Sequence, residues 1–190
     1  RVSLILEQMN HYVDDLTDMR AIGFCVSIEH AEYMAKKFNL VGIPSNAVTS
    51  KVSSEERRQT LADFRNGKIK TIFAVDIFNE GVDIPDINTL LMLRPTESAT
   101  VFIQQLGRGL RKSVSKKTLT VLDFVGNQNK NFRFDMKYGR LLGLGKRKLI
   151  DAVEDGFPFL PTGCHFELDK VSREQVLANL KNFLKFNKGY

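Results

Sequence analysis

Short apolar runs alternate with segments of helical periodicity along the first two thirds of the chain. Each run is short enough to form a buried strand, and the runs lie at 21–28, 46–49, 71–75, 89–93 and 119–125. The segments 29–38, 53–66 and 98–110 carry apolar residues at helical spacing instead. Strands separated by helices at this rhythm predict βαβ units, and therefore an α/β fold with a doubly wound parallel sheet covered on both faces.

The sequence divides into three parts. Residues 1–20 are predicted to begin the chain with a helix over 3–20, and residues 21–126 hold the strands. The composition changes after Gly126, and we expect 127–190 to form a helical C-terminal extension, either packed on the same domain or beginning a further one. One or two basic helices are expected over 129–151, a loop over 156–163, and a last helix over 172–186 capped by Ser172.

Positive charge is concentrated in one stretch of the sequence. Twelve Lys or Arg lie between Gln104 and Lys148, against only Asp123 and Asp135, although the whole chain carries a net charge of +6. Such a stretch can attract the phosphates of a nucleotide or of a nucleic-acid backbone. A solvated basic face without a ligand has the same composition.

The composition argues against a membrane-spanning protein and against a metal-binding site. No apolar run approaches the ~20 residues needed to span a bilayer, and no signal peptide opens the sequence. The two cysteines, Cys25 and Cys164, lie far apart, so a reduced cytoplasmic protein is expected rather than a disulfide-bonded one. Cys164 and His165 form the only adjacent pair of soft ligands, and no second pair completes a metal site. Because the first residue is Arg1, we expect the chain to be a fragment of a longer protein.

The segment 104–111, Gln-Gln-Leu-Gly-Arg-Gly-Leu-Arg, carries the strongest chemical signal. Arg108 and Arg111 are three residues apart, so they project from one face of a helix. Two guanidinium groups on one face suit the oxygens of a triphosphate, and Gly107 leaves room for a close approach. An ordinary surface helix with two arginines is the alternative.

The segment 74–85 follows directly from a predicted buried strand. Crossover handedness places the carboxyl ends of all parallel strands at one edge of the sheet, where ligands bind. Asp76, Glu80 and Asp83 are therefore expected at that edge, where a carboxylate can accept a hydrogen bond from a ribose hydroxyl. A purely structural turn is the alternative.

Together, these two segments resemble motifs V and VI of superfamily 2 helicases. Residues 21–30 resemble motif IV, and 48–65 resemble the segment between motifs IV and V, so the resemblance covers about 21–126. It implies the second RecA-like lobe of a motor that binds ATP between two lobes. The residues it assigns to the nucleotide are Arg111 as arginine finger, Arg108 as a second γ-phosphate contact, and Glu80, Gly81, Asp83, Gln104 and Gly107 in the binding site.

The same resemblance implies a nucleic-acid strand as partner. The residues it assigns to that surface are Ser27, Thr49, Ser50, Val75 and Asp76, with Val75 in the place of a common threonine. Glu80 and Gln104 depart from the arginine and histidine usual in DEAD-box RNA helicases. These departures favour DNA over RNA and a similarity to bacterial restriction-enzyme and excision-repair-like translocases, some of which also carry a nuclease domain.

The parts of a complete ATPase are missing from the sequence. It has no Gly-x-x-x-x-Gly-Lys-Ser/Thr phosphate loop, since Gly145-Lys146 is followed by Arg147, and no Asp-Glu pair suited to hold magnesium. ATP with Mg²⁺ would therefore be bound mainly by an N-terminal lobe outside this sequence, and the chain alone is not expected to hydrolyse ATP. The alternative function is a non-catalytic nucleic-acid-binding or docking module on the same fold. A stand-alone nucleotide-binding enzyme is a third option.

Overall fold

The computed structural model describes residues 2–75, 87–95, 119–124, 134–157, 160 and 165–186, with side chains up to residue 182 in the last helix. These residues belong to two compact units. The first unit comprises the described residues up to Pro95 together with 119–124, and the second comprises those from 134 onward. None of the described helices is long and apolar enough to cross a membrane.

The first unit is built on a parallel sheet of five strands in the order β2-β3-β1-β4-β5. The strands are β1 (Ala21–Phe24), β2 (Ser45–Val48), β3 (Thr71–Ala74), β4 (Thr89–Met92) and β5 (Thr120–Asp123), and the helices are α1 (Val2–Tyr12), α2 (Ile28–Leu40) and α3 (Ser54–Arg65). All five predicted strands are confirmed, each one to four residues shorter than its apolar run or shifted by one. The predicted helix over 98–110 lies outside the described residues.

Helices cover both faces of the sheet. Buried residues of α1 and α2 share one core cluster with Phe73 of β3 and Leu91 of β4. Asn46 of β2 is the register partner of Ile72, so it points to the opposite face from Phe73. Its amide donates to Thr60 Oγ1 of α3 at 3.3 Å, which puts α3 on that opposite face. The doubly wound arrangement is therefore confirmed, and β1, β3 and β4 are buried throughout, as expected of central parallel strands.

The first helix, α1, ends at Tyr12, eight residues before the end of the predicted helix over 3–20. The Asp15 carboxylate accepts hydrogen bonds from the backbone N–H of Thr17 at 2.7 Å and from its hydroxyl at 2.6 Å. Such local bonds offer the backbone an alternative to the helix, so they stabilise a turn at this point. The helix also packs in the same core as the sheet, through Ile5 and Met9.

The boundaries of α3 agree with the signals in its sequence. The Ser53 hydroxyl accepts from Glu56 N–H at 3.2 Å, and the Glu56 carboxylate accepts from Ser53 N–H at 3.0 Å. This reciprocal capping box satisfies two N–H groups that the first turn leaves without partners. Asn66 caps the other end, and Gly67 follows with a φ of +77°.

The second unit contains three helices around its own apolar cluster. They are α4 (Phe134–Leu142), α5 (Lys146–Asp155) and α6 (Lys170–Phe186), and the cluster joins residues from all three. Of the one or two basic helices expected over 129–151, the structure shows two, α4 and α5, the second of which continues to Asp155. The last helix begins two residues before the predicted start, and its cap is Asp169 rather than Ser172. The Asp169 carboxylate accepts from the N–H groups of Val171 and Ser172 at 3.0 and 3.1 Å.

Candidate functional site

The carboxyl ends of three adjacent strands bring four of the five predicted strand-binding residues together. Phe24 of β1, Ala74 of β3 and Val48 of β2 are register partners, so the residues that follow them start from the same level of the sheet. Neighbouring strands lie about 4.8 Å apart, so the three ends span roughly 10 Å. Ser27, Val75 and the pair Thr49–Ser50 all follow these ends. We call this region the strand-end edge.

Ser27 forms the N-cap of α2 at the strand-end edge. Its hydroxyl oxygen accepts from His30 N–H at 3.2 Å, while His30 Nδ1 accepts from Val26 N–H at 3.4 Å. The backbone N–H of Glu29 and the Ser27 hydroxyl lower the pKa of the Glu29 carboxyl, and the charge of Lys51 adds to the effect. These contacts fix the turn between β1 and α2 and aim the N-terminus of α2 at the edge. A helix N-terminus in such a position favours anions.

The turn after β2 separates a buried threonine from two exposed residues. Thr49 is only 1% exposed, and its hydroxyl accepts from Lys51 N–H at 3.3 Å while its carbonyl accepts from Val52 N–H at 3.2 Å. Its contacts in this structure therefore hold the turn, and the prediction that it touches phosphate stays untested. Ser50 and Lys51 are exposed beside it. Lys51 was not among the predicted residues, although a lysine directly after Ser50 in a strand-end turn was a signal for it.

Val75 and Cys25 follow β3 and β1 at the strand-end edge, and neither side chain is suited to bind phosphate or to react. Val75 is half-buried against the core and has no polar side-chain atom, so only its backbone can meet a phosphate. Cys25 N–H donates to the carbonyl of Ala74 at 2.8 Å, and burial raises the pKa of its thiol to about 12. The thiol therefore stays protonated near neutral pH and is unsuited to act as a nucleophile.

The remaining predicted site residues lie outside the described residues. They are Asp76, Glu80, Gly81, Asp83, Gln104, Gly107, Arg108 and Arg111. Their assignments to nucleotide and nucleic acid stay predictions, although β3 ends at Ala74, two positions before Asp76. Among the residues that are described, no group of three or more His, Cys, Asp or Glu could hold a metal ion.

Comparison with known proteins agrees with this architecture. The model of the helicase conserved C-terminal domain matches residues 4–113. A 51.5 kDa protein of a Lactococcus phage (isolate 7-9) is 36% identical over 119 residues, which cover 63% of this chain and 26% of that protein. The putative ATP-dependent helicase IRC3 of Saccharomyces cerevisiae is 34% identical over 123 residues, covering 65% of this chain and 18% of that protein.

Among solved structures, the yeast DEAD-box splicing factor Prp28 aligns with a TM-score of 0.63 at 18% identity, covering 93% of this chain and 34% of that chain. At this identity the likeness shows the fold alone. The chain spans about a quarter or less of the length of the two curated relatives. The family match, by contrast, extends over more than half of the chain and over all three strand ends of the edge. The chain therefore belongs to the helicase conserved C-terminal domain family.

Proposed function

We propose that the full-length protein is an ATP-dependent nucleic-acid translocase or helicase, in which this lobe contributes the arginine finger and part of the strand-binding surface. The observation that carries the proposal is the strand-end edge, where three adjacent parallel strands end at one level. The family match and the ATP-dependent helicase among the relatives support the use of ATP. ATP with Mg²⁺ would be held mainly by the first lobe.

The described part of the edge suits a phosphate backbone. The exposed hydroxyl of Ser50 offers a hydrogen-bond donor to an anion, and the ammonium of Lys51 offers positive charge. Contacts of this kind position a strand without reading its sequence, as a translocating motor requires. We propose that the strand is DNA rather than RNA, because Glu80 and Gln104 depart from the arginine and histidine usual in DEAD-box RNA helicases.

Arg111 and Arg108 are the proposed catalytic residues. When the two lobes close on ATP, their guanidinium groups would meet the γ-phosphate and stabilise the charge that develops there. Hydrolysis would remove that contact and let the lobes reopen, so that the strand-end edge moves along the strand. This lobe alone would not hydrolyse ATP, because its sequence has no phosphate loop.

The direct test is the ATPase activity of the full-length protein with and without single-stranded DNA or RNA. We expect stimulation by DNA and a fall of about three to five orders of magnitude in Arg111→Ala, the usual value of an arginine finger. Arg58→Ala is a suitable control, because Arg58 is exposed and pairs with Glu55 on the same helix. A wild-type protein that binds DNA without any ATPase activity would instead indicate the docking module.

A further inference from the structure

A second concentration of positive charge lies in the C-terminal unit, among residues that do not belong to the strand-end edge. Between Arg140 and Lys148 the chain carries four basic residues and no acidic one. They flank the connection between α4 and α5, with Arg140 in the last turn of α4 and Lys146, Arg147 and Lys148 in the first turn of α5. We call residues 140–148 the basic turn.

The backbone of the basic turn is well fixed. Leu144 N–H donates to the carbonyl of Gly139 at 2.8 Å, and Leu149 N–H donates to the carbonyl of Gly145 at 2.9 Å. Lys146 forms an ion pair with Asp135 of α4 at 3.4 Å, and the Asp135 side chain is only 4% exposed. Lys146 therefore ties α5 to α4, and its charge is largely matched within the unit.

The other three cations of the basic turn are available to solvent. Arg140, Arg147 and Lys148 are exposed, and no ion pair or hydrogen bond joins their side chains to another group in the described part of the chain. Two exposed cations elsewhere in the unit, by contrast, are bound within it. Lys181 pairs with Glu154 at 2.5 Å, and Arg173 donates to the Glu154 carbonyl.

This placement of charge works against the stability of α5. Cations at a helix N-terminus face the positive end of the helix dipole, and acidic residues near the C-terminus face its negative end. α5 has the unfavourable order at both ends, with three cations in its first turn and no basic residue in its last. Its N-cap, Gly145, supplies no side-chain acceptor for the free N–H groups of that turn. An arrangement that costs stability locally is typical of a functional surface.

A phosphate backbone fits this surface better than a protein partner. None of the large hydrophobic side chains that are exposed in the described residues belongs to α4, α5 or the turn between them. Protein interfaces usually have an apolar or aromatic core, whereas exposed cations without one suit the regularly spaced charges of a nucleic acid.

We propose that the basic turn binds the sugar-phosphate backbone of the nucleic acid through Arg140, Arg147 and Lys148, as a contact separate from the strand-end edge. The proposal rests on the proposed function, because it takes the partner to be the same class of molecule. It gives the C-terminal unit a direct part in holding the strand.

The test is fluorescence anisotropy of the 190-residue chain with a fluorescein-labelled 20-nucleotide single strand, as DNA and as RNA, over a range of salt concentrations. The variant is R140Q/R147Q/K148Q, and the matched control is K36Q/R58Q/K170Q, which removes the same charge from exposed residues elsewhere. We expect roughly tenfold weaker binding for the variant and a salt-dependence slope lower by about 2, since each phosphate contact on a single strand contributes about 0.7. The control should bind within twofold of wild type. Because cations leave the α5 N-terminus, the Tm of the variant should be unchanged or raised.

Each alternative result has a definite meaning. Binding unchanged in the variant but weakened by Lys51→Glu would overturn this proposal and leave the strand-end edge intact. Equal losses in variant and control would mean that only net charge matters, which also overturns it. Competition by polyglutamate at the same charge concentration as the single strand would assign the surface to an acidic polypeptide instead. A wild-type chain that binds neither DNA nor RNA would overturn the proposal outright, while the ATPase of the full-length protein would still decide the proposed function. If only one of the two labelled strands shows the loss, that strand is the partner.

Discussion

The packing of Phe73 explains why a glycine lies in the central strand of the sheet. Gly23 of β1 is the register partner of Phe73, and a Cβ at Gly23 would lie 2.5 Å from Cδ1 of that ring. The ring packs edge-to-face on Phe38 of α2, with centroids 4.9 Å apart and an interplanar angle of 82°. The missing side chain therefore makes room for the aromatic pair that joins α2 to the sheet.

We predict that Gly23→Ala destabilises the chain by about 1–3 kcal/mol, the usual range for an added methyl group in a packed core. The free energy of unfolding would be measured by urea titration. Gly145→Ala is the comparison variant, because a Cβ there meets nothing within 4 Å and the φ of −72° suits any residue. Its loss should be limited to the lower preference of alanine than of glycine for the N-cap of α5, and therefore smaller than that of Gly23→Ala. Adding Phe73→Leu to Gly23→Ala should recover part of the loss. Equal stability of Gly23→Ala and wild type would contradict the packing argument.

The starts of α3 and α6 depend on individual polar side chains. The capping box of α3 was predictable, because Ser53 and Glu56 lie at the required spacing in the sequence. The start of α6 was not, because Asp169 and Ser172 are both suitable caps and only the folded backbone chooses between them. In the structure Asp169 accepts two backbone N–H groups, and the Ser172 hydroxyl donates to its carboxylate at 2.5 Å.

We predict that Asp169→Ala lowers stability by about 1 kcal/mol, the typical loss of a helix N-cap, and that Asp169→Asn loses less because it keeps an acceptor. Partial burial acts to raise the pKa of Asp169, but hydrogen bonds from Ser172 and Val171 outweigh it and bring the pKa below its ordinary value of 3.8. A native pKa below the unfolded one stabilises the fold above about pH 3.8, and the gain disappears as the pH falls through the native value. Urea titrations at neutral and acidic pH would measure both effects. A larger loss in Ser172→Ala than in Asp169→Ala would restore Ser172 as the cap.

The elements that the sequence predicted are those whose signals are local. Every strand of the sheet was marked by its own apolar run, and α2 by the periodicity of Ala31, Met34 and Phe38. The extent of α1 was overestimated because the apolar spacing continues past Tyr12, whereas the turn at Asp15 depends on side-chain hydrogen bonds that periodicity does not show. In the candidate site, the family resemblance assigned Ser27, Ser50 and Val75 to one strand-binding surface, but the sequence could not show that Thr49 is buried while Lys51 is exposed.

For the molecule as a whole, the sheet order makes β1 the central strand of five, with Cys25 directly after it. The Cys25 side chain is fully buried, and its backbone N–H bonds to β3. Exposing this thiol therefore requires the centre of the sheet to open, which is expected only when the first unit unfolds globally. Cys25 is thus an internal probe of the stability of the domain that carries the strand-end edge.

We predict that Cys25 in a Cys164→Ser background is unreactive toward a thiol reagent such as DTNB in native buffer at about pH 8. Two effects act together, because burial excludes the reagent and raises the thiol pKa from 9.0 to about 12, which suppresses the reactive thiolate. Urea should accelerate the reaction in parallel with the unfolding rate, and Gly23→Ala should accelerate it further. The raised pKa also means that this group stabilises the fold fully below pH 9 and that its contribution falls as the pH rises toward 12. Rapid modification in native buffer, at the rate of a free thiol, would show that the sheet opens locally at β1 and that the strand-end edge is not held by a rigid core.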